Sequence, residues 1–179
     1  MSKWLLLDRD GVLNLDNPPY VHKIEDYKFV KGVIPALKKI SNAGFKIIII
    51  TNQSGIARGM YSEQEFRILS EYITSELKKA RVAIMATYHC PHHPEITGQC
   101  DCRKPKPGMI LHAFKDFNIN PEQDEVWLIG DGDRDVEAAN NASLRIQTIK
   151  TKTQGRDPDE SSIKPQAENL AEAVDIILK

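Results

Sequence analysis

Four isoleucines in a row, Ile47 to Ile50, constrain this chain more than any other feature. Side chains alternate along a strand, so an unbroken apolar run must bury both of its faces. That is the situation of a central strand in a parallel sheet covered by helices on both sides. The pattern predicts a strand over 45–51. A second apolar run, Leu5-Leu6-Leu7, ends abruptly in Asp8-Arg9-Asp10-Gly11. Alternation sends Asp8 and Asp10 the same way, and Gly11 lets the chain turn sharply after them. Open α/β sheets carry their chemistry beyond the carboxyl ends of their strands, and two carboxylates this close are best tolerated around a cation.

The remaining pattern repeats the strand–helix theme. Helices are predicted over 33–43, with Pro35 in the first turn and Gly44 as the stop, and after Ser62, which forms a capping box with Glu65. The second helix carries an apolar stripe of Phe66, Leu69, Ile73, Leu77 and Ala80. Further strands are expected over 83–88, 126–129 and 144–149. Further helices are expected over 108–117, from near Asp133, and after a cap at Asn169. Polar loops fill 14–29 and 150–165. The alternation predicts an α/β fold: a Rossmann-like parallel sheet with helices on both faces, wound by right-handed crossovers. A length of 179 residues suits a single domain over 1–179.

The net charge of -1 offers no field for a long polyanion, which argues against nucleic acid as a partner. The apolar runs are too short for a membrane span or a signal segment, so a cytoplasmic protein is expected, and a monomer because no long apolar stripe is left unassigned. The three cysteines are odd in number and fall between positions 90 and 102. They point to a metal rather than a disulfide framework. Cys90, His92, Cys100 and Cys102 would make a closed tetrahedral zinc site, structural because no position remains for water. His89 and His93 are alternatives to His92. Zinc would pin a loop of no regular structure, 90–102, that leads directly into Arg103 and Lys104.

Three more segments bear chemistry. Thr51-Asn52-Gln53-Ser54-Gly55 follows the isoleucine strand with hydroxyls and amides fit to bind a phosphoryl group. Arg103-Lys104-Pro105-Lys106-Pro107 stiffens a cluster of cations, and Gly130-Asp131-Gly132-Asp133-Arg134-Asp135 places acids after a fourth strand, one of them a candidate helix cap. In order and content the four segments resemble the motifs of the haloacid dehalogenase superfamily of phosphohydrolases. The resemblance implies that Asp8 is the nucleophile, forming an aspartyl-phosphate, and that Asp10 protonates the leaving oxygen and later deprotonates water. It implies Mg²⁺ held by Asp8, the Asp10 backbone carbonyl and Asp131, oriented by Asp135, with Thr51 and Lys104 holding the transferring oxygens.

Within that superfamily, Asp8-Arg9-Asp10-Gly11, Tyr20-Val21-His22, Thr51 to Gly59, Cys90-Pro91-His92-His93-Pro94 and Cys102 to Met109 look like the branch containing the heptose 1,7-bisphosphate 7-phosphatases and the histidinol-phosphate phosphatases. This implies a small sugar bisphosphate as substrate, with removal of the 7-phosphate of a heptose 1,7-bisphosphate as the activity. Arg9, Asp16, Asn17, Pro18, Pro19, Asn52, Gln53, Ser54 and Arg103 would form the substrate site. Gly132 departs from the basic residue usual after the fourth-motif aspartate. Only 40 residues separate Asp10 from Thr51, so no separate cap domain is expected and the cleft should be open. Histidinol phosphate or another small sugar phosphate is the alternative substrate, and a zinc-stabilised binding module without catalysis is the alternative class.

Overall fold

In the computed structural model, which describes residues 1–157 and 161–179, the two apolar runs lie side by side. Strand β1 (Lys3–Leu7) pairs in parallel with β2 (Phe45–Asn52), Leu7 opposite Ile49, and on its other edge with β4 (Glu125–Gly130), Leu7 opposite Ile129. Outside these lie β3 (Ile84–Cys90) and β5 (Gln147–Lys150), in the all-parallel order β3-β2-β1-β4-β5. The strands with the longest unbroken apolar runs are therefore central, as burial on both faces requires.

The isoleucine run divides between two cores. Ile47 and Ile49 join Leu5 and Leu7 against α1 (Val33–Asn42), α2 (Glu63–Lys79) and α6 (Leu170–Ile177). Ile48 and Ile50 join Trp4 and Leu6 against α4 (Gly108–Phe117) and α5 (Asp133–Ala142). Each such side chain contributes about 1.5–3 kcal/mol relative to exposure, so the strand ends are anchored in a rigid platform. The capping box of α2 is complete: Ser62 Oγ accepts from the Glu65 amide at 3.2 Å, and Glu65 Oε2 accepts from the Ser62 amide at 2.7 Å. Asn169 caps α6 through the Glu172 amide at 3.1 Å.

Three local expectations are corrected. Strand β5 begins at Gln147 rather than Leu144, whose side chain is 86% exposed; Leu144 is an apolar residue in a turn. The Cys/His segment contains a one-turn helix, α3 (Pro94–Thr97), started by Pro94 and capped by the His93 ring. The loop 14–29 contains a 3-10 turn, Ile24–Asp26. Of the expected loop 150–165, residues 158–160 lie outside the described residues; its first part docks on the loop after β1, where Gln154 donates to Gly11 O at 3.0 Å and accepts from the Asp16 amide at 2.8 Å. Between β1 and β2 stand only a loop, the 3-10 turn and α1, so no cap domain is inserted there. Among the described residues no helix is long and apolar enough to cross a membrane.

Candidate active site

The carboxyl ends of β1, β2 and β4 bring the four chemical segments together. Asp8 follows β1 directly and is 4% exposed. Its Oδ1 accepts from the Arg9 amide at 2.8 Å and lies 2.9 Å from Lys104 Nζ. Lys104, 2% exposed, also donates to Asp135 Oδ1 at 2.5 Å and to Ile50 O at 3.0 Å. Two of the three protons of its ammonium are thereby aimed, and the ion pair with Asp8 is a charge contact. Asn52 fixes the lysine from behind, donating to Lys104 O and accepting from the Lys104 amide, both at 3.1 Å. The Asn52 side chain thus makes both hydrogen bonds of a backbone pair, and it tells why an amide follows Thr51.

Asp131 follows β4 directly, beside Asp8. Both of its carboxylate oxygens are buried and neither has a hydrogen-bond partner; Arg134 NH2 stands 3.7 Å from Oδ1. Burial, with Asp8 and Asp135 as like-charged neighbours, pushes the Asp131 carboxyl up to about 7. One oxygen each from Asp8, Asp131 and Asp135 lie within 4.8 Å of one another. Asp135 is already engaged by Lys104 and, through Oδ2, by the Gly132 amide at 3.0 Å, so Asp131 is the one of the three whose carboxylate oxygens accept no hydrogen bond. A hard divalent cation fits this oxygen-only donor set. Gly11, at φ +79°, is required here, because a Cβ at that position would fall on Asp131 Oδ2. The expected aspartate cap of α5 takes a different form: Gly132 is the cap position, and Asp135 bonds back to its amide.

Asp10 faces the cleft, held by four donors. Oδ1 accepts from Arg9 Nε and Asn14 Nδ2, both at 3.1 Å, and Oδ2 from Arg9 NH2 at 3.0 Å and Gln53 Nε2 at 2.8 Å. Thr51 Oγ1 accepts from the same Gln53 Nε2 at 2.8 Å. Arg9, expected to touch substrate, is instead 1% exposed and turned inward, where it also donates to Val21 O at 2.9 Å. Its guanidinium lies beneath the cleft-lining residues, spanning the Asp10 carboxylate and the Gln53 amide oxygen.

Above this floor opens a cleft of about 300 Å³, within the range of small-ligand sites. Among the sequence-expected residues, Asp10, Asp16, Pro19, Asn52, Gln53, Ser54 and Arg103 line it. Asn17 and Pro18 do not, being exposed on the outside of their loop. Tyr20, Tyr61, Arg134 and Arg156 line it too, and the two arginines were not among the expected site residues. Arg156 ion-pairs with Asp16, whose carboxyl burial pushes up against the pull of that arginine. Arg103 NH1 donates to His92 O at 3.3 Å, which ties the cleft to the Cys/His segment.

In that segment Cys90, His92, Cys100 and Cys102 converge. Sγ of Cys90 lies 3.7 Å from Cys100 Sγ and 3.0 Å from Cys102 Sγ, and His92 Nδ1 lies 3.2 Å from Cys102 Sγ and 3.7 Å from Cys90 Sγ. Four ligand atoms bound tetrahedrally at about 2.3 Å would stand about 3.7 Å apart, so the cluster is compatible with a zinc ion. The other two histidines are engaged elsewhere: His89 with Glu63 Oε1 at 2.8 Å, and His93 with Arg58 NH2 at 2.7 Å.

The chain is similar to several known proteins. A family model described as polynucleotide kinase 3 phosphatase matches residues 7–168. D-glycero-beta-D-manno-heptose-1,7-bisphosphate 7-phosphatase of Haemophilus ducreyi is 44% identical over 83% of this chain and 82% of its own. The alpha-named counterpart of Photorhabdus laumondii is 42% identical over 90% of each. A solved structure of D,D-heptose 1,7-bisphosphate phosphatase from B. bronchiseptica, complexed with magnesium and phosphate, is 28% identical and superposes with a TM-score of 0.85 over 98% of both chains. With this extent of identity and this shared sheet, the chain belongs to the heptose 1,7-bisphosphate 7-phosphatase family of haloacid-dehalogenase-like phosphatases.

Proposed function

We propose that this chain hydrolyses the 7-phosphate of D-glycero-D-manno-heptose 1,7-bisphosphate through an aspartyl-phosphate on Asp8, in the making of nucleotide-activated heptose. The observation that carries the chemistry is the buried Asp8–Lys104–Asp135 chain beside Asp131, whose carboxylate accepts no hydrogen bond, with Asp10, two residues after Asp8, in a cleft lined by Arg103, Arg134 and Arg156. Asp8 attacks phosphorus, and Asp10 gives a proton to the leaving sugar oxygen, then takes one from the water that releases phosphate. Thr51 and Lys104 hold the transferring oxygens and stabilise their charge. Asp8, the Asp10 carbonyl and Asp131 would hold Mg²⁺, whose charge lets an anionic nucleophile approach an anionic phosphate. Arg103 and its neighbours select a doubly charged sugar in an open cleft.

Phosphate release from both anomers of the heptose bisphosphate and from histidinol phosphate, with Mg²⁺, tests this reading. One heptose anomer is expected to lead in kcat/KM by about two orders of magnitude, near 2.7 kcal/mol. Equal and weak rates on all three would remove the heptose assignment.

The Cys/His cluster is read as a structural zinc site that holds the segment leading into Arg103 and Lys104. Metal analysis should find one zinc per chain. Cys102→Ser should lose zinc, melt lower and lose most activity, since structural zinc binding is folding free energy. A zinc-free Cys102→Ser protein with wild-type kcat/KM would leave the cluster without that role. Residues 1–179 are read as one catalytic domain acting as a monomer in the cytoplasm; the three cysteines, which form no disulfide, support the compartment alone.

A further inference from the structure

The buried side chain of Gln53 has every polar hydrogen and its oxygen accounted for, and the order of those bonds carries chemical information. Gln53 is 2% exposed. Its Oε1 accepts from Tyr61 Oη–H at 2.5 Å and from Arg9 NH2 at 3.1 Å; its Nε2 donates to Asp10 Oδ2 and to Thr51 Oγ1, both at 2.8 Å. An arginine can only donate. The atom facing Arg9 must therefore be the amide oxygen, and the atom facing Asp10 and Thr51 must be the nitrogen. The amide has one orientation, and Arg9 dictates it.

That orientation has a consequence for Thr51. Its hydroxyl oxygen already receives a hydrogen from Gln53, so its own hydrogen is left to point at another acceptor. The acceptor that the proposed mechanism gives it is an oxygen of the transferring phosphoryl group. Tyr61 completes the arrangement: its ring lies where a Cβ on Gly55 would be, so Gly55 is what lets the hydroxyl reach Gln53, and the His22 ring stacks on its other face at 4.9 Å. Burial keeps the Tyr61 hydroxyl protonated well above its ordinary range, so it remains a donor.

We infer that Gln53 is a positioning residue, oriented by Arg9 and Tyr61, that fixes the Asp10 carboxylate and turns the Thr51 hydroxyl into a donor toward the transferring phosphate. This rests on the acid–base role proposed for Asp10. Gln53→Glu keeps the size and the acceptor toward Arg9 and Tyr61 but puts an acceptor where Asp10 and Thr51 need a donor.

The test compares kcat/KM on phenyl phosphate and p-nitrophenyl phosphate, with Mg²⁺. Phenolate, with a conjugate acid near 10 as for tyrosine, needs a proton from Asp10 to leave, whereas the weakly basic nitrophenolate scarcely does. Gln53→Glu should lose about 10²-fold on phenyl phosphate and several-fold less on the nitrophenyl ester, in keeping with the size of general acid catalysis. Tyr61→Phe, which leaves Arg9 in control of the amide, should show the same bias at only a few-fold loss. Gln53→Met, similar in volume and uncharged, carries the same comparison where Gln53→Glu does not fold. Equal losses on the two esters, or none, would overturn the inference. Neither ester is a heptose, so a biased loss reports on Gln53 whatever the natural substrate; where the wild type spares both esters, the same variants are read on heptose 1,7-bisphosphate, and an unchanged kcat there overturns the inference.

Discussion

Asp8→Asn is expected to cost about 10⁴-fold or more in kcat while leaving the melting temperature equal or higher. The loss follows from removing the attacking oxygen's charge, which no neighbour supplies: Asp10 is held by Arg9, Asn14 and Gln53, and Asp135 is tied to Lys104 and the Gly132 amide. The retained stability follows from local electrostatics. Asn is isosteric, and its oxygen can still accept from the Arg9 amide and Lys104. At the same time one of three crowded carboxylates disappears, which relieves the repulsion that pushes Asp131 upward. Phosphate release and a thermal melt on the same sample check both halves. Retained turnover would remove Asp8 as the nucleophile. Lost turnover with a collapsed melt would mean that its role is structural.

The parts of this molecule legible in its sequence are those decided by local rules. The isoleucine run announced a central strand because only a two-sided core accepts four consecutive apolar side chains, and Ser62 with Glu65 announced a helix start because the two groups satisfy each other within one turn. The convergence of Asp8, Thr51, Lys104 and Asp131 was legible because each follows or leads into a regular element whose end the parallel sheet places on one edge. What escaped was set by long-range closure. Arg134 and Arg156 come to the cleft from two separate segments, and no spacing in the chain ties them to Asp10. His92, by contrast, was named from the sequence and is the histidine that converges with the three thiols, while His89 and His93 contact Glu63 and Arg58. Leu144 misled because an exposed leucine in a turn has the same letter as a buried one in a strand. Arg9 is the instructive case: Asp10, Gln53 and the Val21 carbonyl hold its guanidinium in place, and no local rule announces those partners.

Lys104→Met should lower stability by about 3–5 kcal/mol, because it leaves Asp8 and Asp135 facing each other, buried, with no cation between them. For a chain of this size that is a melting temperature lower by about 10 °C. Burial by itself would lower the Lys104 ammonium, but Asp135 and Asp8 outweigh it and hold the group raised. The contribution is therefore fully present below the ordinary lysine value, about 10.4, and fades only as pH rises through the higher folded value, so neutral buffers sample all of it. Activity should fall as well, by about 10²–10³-fold, since the same ammonium holds the transferring oxygens. The two effects separate in the double variant Lys104→Met/Asp135→Asn. Neutralising Asp135 removes the second uncompensated charge while an amide oxygen still accepts from the Gly132 amide, so most of the lost melting temperature returns. The rate does not return, because no cation stands beside Asp8. Recovery of both together would mean that Lys104 serves only to balance Asp135; recovery of stability alone assigns its charge to the phosphoryl group.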